Sequence, residues 1–278
     1  LQGILSIFTR KFSHLLYLCA INPKRRFLTM HYAIIAAGAG SRLQHEGVAA
    51  PKPLVSLRGE VMIDRLLGIF LRHHAESISV VINDEMPEVR RHLEAWAEPA
   101  HLVQLGLPAD FPFHLVVRTT PSSMHSLAAL APVLPPARFC LTTVDTIFRE
   151  EDFARYLHTF ETLPAAEADG CFAVTPYVDD EKPLYVLPAP DGRTIAAFLD
   201  QKPEAACYVS GGIYGLDART ALPVLEQCLA AGQSRMRNFQ RALLDAGLRL
   251  RLSVFPKILD VDHAEDILKA EAFLAERP

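Results

Sequence analysis

The sequence predicts an α/β fold: a Rossmann-like, three-layer arrangement in which a mixed, mostly parallel sheet carries helices on both faces. Three observations predict it. Residues 31–36 (HYAIIA) form an unbroken apolar run, as expected of a strand covered on both sides. From Met30 to Thr162, short β-rich runs alternate with helical patterns, which implies βαβ units and a parallel sheet. After Gly170, strand-like runs follow one another with few helical residues between them, which adds antiparallel strands to one part of the sheet.

Taken in order, the strand at 31–36 runs into a glycine-containing loop, and an amphipathic helix follows near 61–74. Residues 77–82 (SISVVI) read as the second strand, Pro87–Trp96 as a helix, 114–117 as a short strand and 123–134 as a helix. RFCLTTV, at 138–144, is a strand ending at Asp145. Residues 151–162 are helical with acidic side chains in the first turn, where negative charge is favourable. The antiparallel part comprises Gly170–Thr175, 184–187 and 194–199, with Asp191-Gly192 as a turn signal. A further strand at 208–214 is interrupted by Gly211-Gly212, whose simplest reading is a β-bulge. Helices near 218–231 and 236–246 come next, then a half-exposed strand at 248–255 and a closing helix at 263–276.

The chain has 278 residues, is 50% hydrophobic and carries a formal charge of -4, which suits one large domain with a substantial core. Mild acidity supplies no basic stripe for DNA or RNA, so an anionic small molecule would need a local basic pocket. The five cysteines are scattered, with no CxxC pair and no zinc spacing. Three of them sit in apolar or strand-like contexts and read as small packing residues, which favours a reducing compartment, hence the cytoplasm. No apolar run reaches the roughly 18 residues that span a bilayer. Residues 1–29 contain five basic and no acidic residues, and their apolar stretches are broken by Arg10 and Lys11. They match a secretory signal poorly; a transit peptide or an amphipathic membrane-surface helix is an alternative, but they read better as a mis-called start or a dispensable extension outside the fold, with the domain occupying 30–278.

The densest chemistry follows the first strand. Gly38, Gly40, Ser41, Arg42 and Leu43, then Lys52 between Pro51 and Pro53, stand at the carboxyl end of a buried strand, where open α/β sheets bind ligands. Glycines there let backbone N–H groups approach a phosphate, and Arg42 and Lys52 add fixed positive charge. A Walker A loop would end in Gly-Lys-Ser/Thr, and a dinucleotide fingerprint would place a third glycine at Leu43; both are absent.

G-A-G-S-R-L followed by P-K-P-L and Gly59 resembles the signature of the nucleoside-triphosphate transferase family, which includes sugar-1-phosphate nucleotidylyltransferases and phosphocholine cytidylyltransferases. The resemblance runs from about Met30 to the C-terminus and implies a GT-A-like nucleotidyltransferase fold. It also implies that Ala36, Ala37, Gly38, Gly40 and Ser41 face the nucleotide. A polar loop touching base and ribose is implied at TPSSMHSL, 120–127, through Ser122, Ser123 and Ser126; helix capping by the serines is compatible with that role. Mg²⁺ is implied on Asp145, at the end of its strand, and on Asp262 within ILDVDHAEDI, with Asp260 as the second choice. The frequent Thr-Pro after the second aspartate is His263-Ala264 here, which alters the helix cap. An acceptor-phosphate lysine is implied at Lys202 in FLDQKP, with Lys182 as its rival, and Gly211 and Gly212 would let the next strand approach the acceptor.

Arg42, Lys52 and Lys202 are thus the implied catalytic cations of a reaction that joins NTP to a phosphorylated small-molecule acceptor and releases pyrophosphate. An acceptor that is already an anion requires no strong base, so no histidine is assigned one; His125 is read as a polar contact. Two alternatives stand beside this reading. One is a glycosyltransferase of similar architecture, although the position that would carry D-x-D reads V-D-T. The other is a non-catalytic nucleotide sensor. A protein truncated to begin at Met30 is expected to fold and keep its activity, measured as melting temperature and turnover beside the full chain.

Overall fold

The computed structural model describes residues 29–179 and 181–276. The extension at 1–29 therefore lies almost wholly outside the described residues. Seven strands lie in the order β10-β9-β11-β6-β1-β4-β5, and β8 and β12 complete the nine-stranded sheet by pairing β8 with β11 and β12 with β8. These strands are β1 (Met30–Ala36), β4 (Ala75–Ile82), β5 (Phe113–Val117), β6 (Arg138–Thr143), β8 (Gly170–Thr175), β9 (Tyr185–Pro188), β10 (Ile195–Leu199), β11 (Tyr208–Asp217) and β12 (Leu250–Val254). Strands β6, β1, β4 and β5 run parallel, and β11 turns the sense of the sheet by pairing antiparallel with β6. β9 and β10 are antiparallel as well, whereas β12 lies parallel to β8.

Alternation along β1 explains its unbroken apolar run. Tyr32, Ile34 and Ala36 enter one hydrophobic cluster, and Ala33, Ile35 and Ala37 enter another on the opposite face. The first cluster packs helices α2 (Met62–Arg72), α3 (Pro87–Trp96), α6 (Glu150–Thr162) and α9 (Ala264–Ala275). The second packs α5 (Ser123–Leu130), α7 (Ala218–Ala230) and α8 (Met236–Asp245). Three layers result, as the sequence predicts. Among the described residues no helix is long and apolar enough to cross a membrane.

The departures from the sequence reading have local causes. The helix expected over 123–134 stops at Leu130 and tightens into a 3-10 turn at Ala131–Val133, because Pro132 cannot donate to a continuing helix. The strand expected to end at 214 runs on to Asp217. At Gly211-Gly212 the register of β11 against β8 shifts between Ser210 and Tyr214, the bulge that the glycine pair suggests. A short helix α4 (Pro99–Gln104) and a hairpin of β2 (Ser56–Leu57) with β3 (Glu60–Val61) are additions to the sequence reading. So is a two-residue ladder between β7 (Thr146–Ile147) and β13 (Leu259–Asp260).

One ion pair pins α2 to α6. Arg72 donates to both oxygens of Glu150 at 2.8 Å, and His73 stands 3.4 Å from the same carboxylate. Partial burial alone would raise the Glu150 carboxyl, but the nearby His73 imidazole and the two hydrogen bonds from Arg72 outweigh it and bring the group down to about 2, from an ordinary 4.5. A depressed carboxyl stabilises the fold above its unfolded value and loses that contribution as the pH falls towards its folded value. The pair is partly solvated, so Glu150→Gln is expected to cost about 1 kcal/mol at pH 7. In urea titrations the difference from wild type should shrink between pH 4.5 and about 2.

Candidate active site

The glycine loop leaves the carboxyl end of β1 and enters α1 (Ser41–His45) through Gly40, which has a left-handed φ of 64°. A Cβ on Gly40 would lie 2.9 Å from the Cβ of Lys52, so glycine serves both the turn and the close approach of the lysine. Gly38 has open space where its Cβ would be, which leaves its backbone accessible. Lys52 begins the 3-10 turn Lys52–Leu54 and is only 8% exposed.

Its ammonium stands between two carboxylates from distant parts of the chain. Lys52 Nζ pairs with Asp145 Oδ2 and, at 2.6 Å, with Asp262 Oδ1. Asp145 follows β6 immediately, and its carbonyl accepts from Val261 N at 3.1 Å. Burial by itself would raise the Asp145 carboxyl, but the Lys52 ammonium overrides it and holds the group below the usual carboxylate range. Burial likewise pulls Lys52 down, and Asp145 and Asp262 together push it above an ordinary lysine. Lys52 and Asp145 are therefore both charged at neutral pH. Arg42 adds a second cation, 3.3 Å from Asp262 Oδ2. Asp260 is the outlier of the three aspartates: Thr146 Oγ1 donates to it at 3.3 Å, and Thr146 in turn shares a 2.6 Å hydrogen bond with Thr143.

Two cavities among the described residues flank this charge cluster. The larger, of about 420 Å³, is lined by Ala37, Gly38, Lys52 and Asp145 at one end and by Thr120, Ser122, Ser123 and Ser126 at the other. Ser122 caps α5 and shares a 2.9 Å hydrogen bond with His125 Nδ1. Ser126 is buried; it bonds to Thr120 Oγ1 at 2.6 Å and donates to the Ser122 carbonyl at 3.2 Å, so it props the loop from behind. The smaller cavity, of about 150 Å³, includes Arg42, Ser210, Gly211, Asp260, Asp262 and Lys269 in its lining. Gly212 has φ 71°, and a Cβ there would lie 2.6 Å from Thr146 Oγ1, so β11 can pass this close only as glycine.

The structure thus gathers Arg42, Lys52, Asp145, Asp260, Asp262, the glycine loop and the serine loop into one region. Lys202 and Lys182 are exposed and line neither cavity. The connections that carry them are tied to α8, where Arg237 pairs with Asp200 at 2.6 Å and donates to the Lys182 carbonyl at 2.8 Å. Several lining residues were not singled out by the sequence. Asn83, just past β4 and 4% exposed, accepts at Oδ1 from Thr119 Oγ1 at 2.7 Å and from Glu85 N at 2.9 Å. Its signal was a polar residue directly after an apolar strand, the same placement that drew attention to Asp145. Lys269 was hidden in a helical pattern; it reaches Glu265 at 2.9 Å, Asp266 at 3.1 Å and Asp179 at 3.4 Å.

Among the described residues, no group of three or more His, Cys, Asp or Glu side chains is arranged to hold a metal ion. A two-carboxylate set of Asp145 and Asp262 nevertheless suits Mg²⁺, which keeps several waters and takes phosphate oxygens rather than demanding an all-protein cage.

Residues 32–249 match the family model of the MobA-like NTP transferase domain, and the chain belongs to that family of nucleotidyltransferases. Many solved structures share the fold, among them the following two. The inositol-1-phosphate CTP transferase from T. maritima matches with a TM-score of 0.67 at 16% identity, over 89% of this chain and 97% of that one. A Bacillus anthracis protein described as a glucose-1-phosphate thymidylyltransferase, in complex with a sucrose, matches with a TM-score of 0.70 at 19% identity, over 90% of this chain and 96% of that one. At these identities the likeness concerns the fold alone. No curated protein matches the chain significantly.

Gly40→Ala is expected to lower stability by about 1–2 kcal/mol, the cost of a left-handed residue with a Cβ, and to displace Lys52. Chemical denaturation would measure the first effect. A stability equal to wild type would show that the loop relaxes around the added methyl.

Proposed function

We propose that this nucleotidyltransferase moves a nucleoside monophosphate from an NTP to a phosphorylated small-molecule acceptor, a sugar-1-phosphate or a compound like it, and releases pyrophosphate. One observation carries the reading: the Lys52 ammonium lines, with Asp145, a cavity of about 420 Å³, and it pairs with Asp262, which lines a second, smaller cavity. In this reading the NTP takes the larger cavity, with its triphosphate against Gly38, Gly40 and Ser41 and its base and ribose towards Ser122 and Ser123. The acceptor takes the smaller cavity, beside Gly211 and Arg42.

An oxygen of the acceptor phosphate attacks the α-phosphorus; the bond from that phosphorus to the α,β-bridging oxygen breaks, and pyrophosphate leaves. The attacking oxygen is already an anion, so no proton has to move. Lys52 and Arg42 neutralise charge on the α-phosphate and on the departing pyrophosphate, and the two cavities hold the reactants in line. Asp145 and Asp262 would hold Mg²⁺, with Asp260 behind them through Thr146; that ion supplies charge neutralisation at the phosphate oxygens. The four described cysteines are free thiols, which supports action in a reducing cytoplasm.

A matrix of four NTPs against phosphorylated acceptors, read as pyrophosphate, tests the proposal. Tight nucleotide binding with no release for any acceptor would favour a sensor. Lys52→Ala and Asp145→Asn are each expected to lower kcat by about 10²–10³-fold in that assay, the scale for removing one group that stabilises transition-state charge. EDTA should abolish release, and full turnover in EDTA would remove the metal from the scheme.

A further inference from the structure

Asp262 stands in a turn whose three successive N–H groups all meet carboxylates. Asp262 N and His263 N donate to Asp266 Oδ2 at 3.1 and 2.8 Å, and Ala264 N donates to Glu46 Oε2 at 2.6 Å. The other oxygen of Glu46 accepts from His263 Nδ1 at 2.6 Å. Glu46 caps the carboxyl end of α1, the short helix that carries Ser41, Arg42 and Leu43 out of the glycine loop. One carboxylate therefore bolts the phosphate-loop helix to the turn that presents Asp262, across 217 residues of sequence. Arg42, on the same helix, reaches towards the turn a second time, 3.5 Å from His263 Nε2.

The bolt answers a local need. Ala264 is the first residue of α9, where the backbone N–H has no partner within the helix. A proline at that position would have no N–H to satisfy, and a threonine in place of His263 would cap the helix with its own hydroxyl. This chain has neither, and the acceptor comes from Glu46 on another segment. Because the two oxygens of Glu46 hold two consecutive residues, the turn is fixed in orientation as well as in distance.

We propose that Glu46 is a positioning residue that sets Asp262 in register with Arg42 and Lys52 for cation binding; the inference rests on reading Asp262 as a metal ligand. Groups that hydrogen-bond metal ligands are typically worth about 10–100-fold in metal affinity, and Glu46, which acts on Asp262 through the two residues that follow it, is expected at the lower end of that range. The test is a titration of the full chain with Mn²⁺ alone, followed by the electron paramagnetic resonance of the free ion. Glu46→Gln keeps one acceptor and removes the other, and is expected to raise the Kd for Mn²⁺ about 10-fold while leaving the melting temperature close to wild type. Combining it with His263→Thr and Ala264→Pro should return the Kd towards wild type, because the turn then needs no outside acceptor. An unchanged Kd in Glu46→Gln, with binding lost in Asp262→Asn, would overturn this inference alone. Undiminished binding in Asp262→Asn would overturn the metal reading and the inference with it. Should Glu46→Gln fail to fold, the triple variant decides: wild-type affinity supports the role, and a folded protein with weakened affinity overturns it.

Discussion

The ammonium of Lys52, held between Asp145 and Asp262, is the constraint on which the site depends. Two carboxylates this close repel one another, and a mostly buried lysine resists its own charge; each makes the other tolerable. Much of the local architecture follows from bringing them together. Gly40 must lack a side chain so that Lys52 can pass, and Pro51 and Pro53 flank the lysine in its tight turn. The adjacency of β1 and β6 brings the segments that bear Lys52 and Asp145 side by side. Asp262 arrives from the far end of the chain.

The sheet divides the work. Its parallel part ends in the glycine loop, Asn83, the serine loop and Asp145, all at strand carboxyl ends, as open α/β sheets arrange their ligand sites. Its antiparallel part contributes the wall of the smaller cavity through β11, with Ser210 and Gly211. The charge cluster lies close to the seam, where β6 has a parallel neighbour on one side and an antiparallel neighbour on the other. The bulge at Gly211-Gly212 lets β11 lie against Thr143 and Thr146 without a side chain between them.

What was legible in the sequence was local. An apolar hexapeptide, a glycine loop and an aspartate after a strand each carry their meaning within a few residues, and the three layers and the main site residues follow from them. What was not legible depends on contacts between distant segments. Glu46 and His263 look like ordinary surface residues until the fold sets them 2.6 Å apart. Lys269 reads as one more exposed helical position, although it gathers three carboxylates. Lys202 and Lys182 show the converse: a lysine before proline is recognisable, but its distance from a cavity is set by how neighbouring connections pack on α8. Short elements such as α4 and the β2–β3 hairpin have too few residues for any periodicity to register.

The ladder between β7 and β13 is only two residues long, yet it joins the segment just after Asp145 to the segment just before Asp262. Backbone hydrogen bonds, rather than side-chain rotamers, thus set how far apart the two carboxylates begin. The ladder also ties the site to the order of synthesis. Strands β1, β4, β5 and β6, the glycine loop, Lys52 and Asp145 have all left the ribosome long before residues 259–262 do. A nascent chain can therefore assemble a nucleotide-sized cavity with a lysine paired to one aspartate, but the second carboxylate joins only when the last strand docks. The charge cluster is thus completed only after residues 259–262 have been made, long after Asp145, which keeps a partly synthesised chain from holding a finished site.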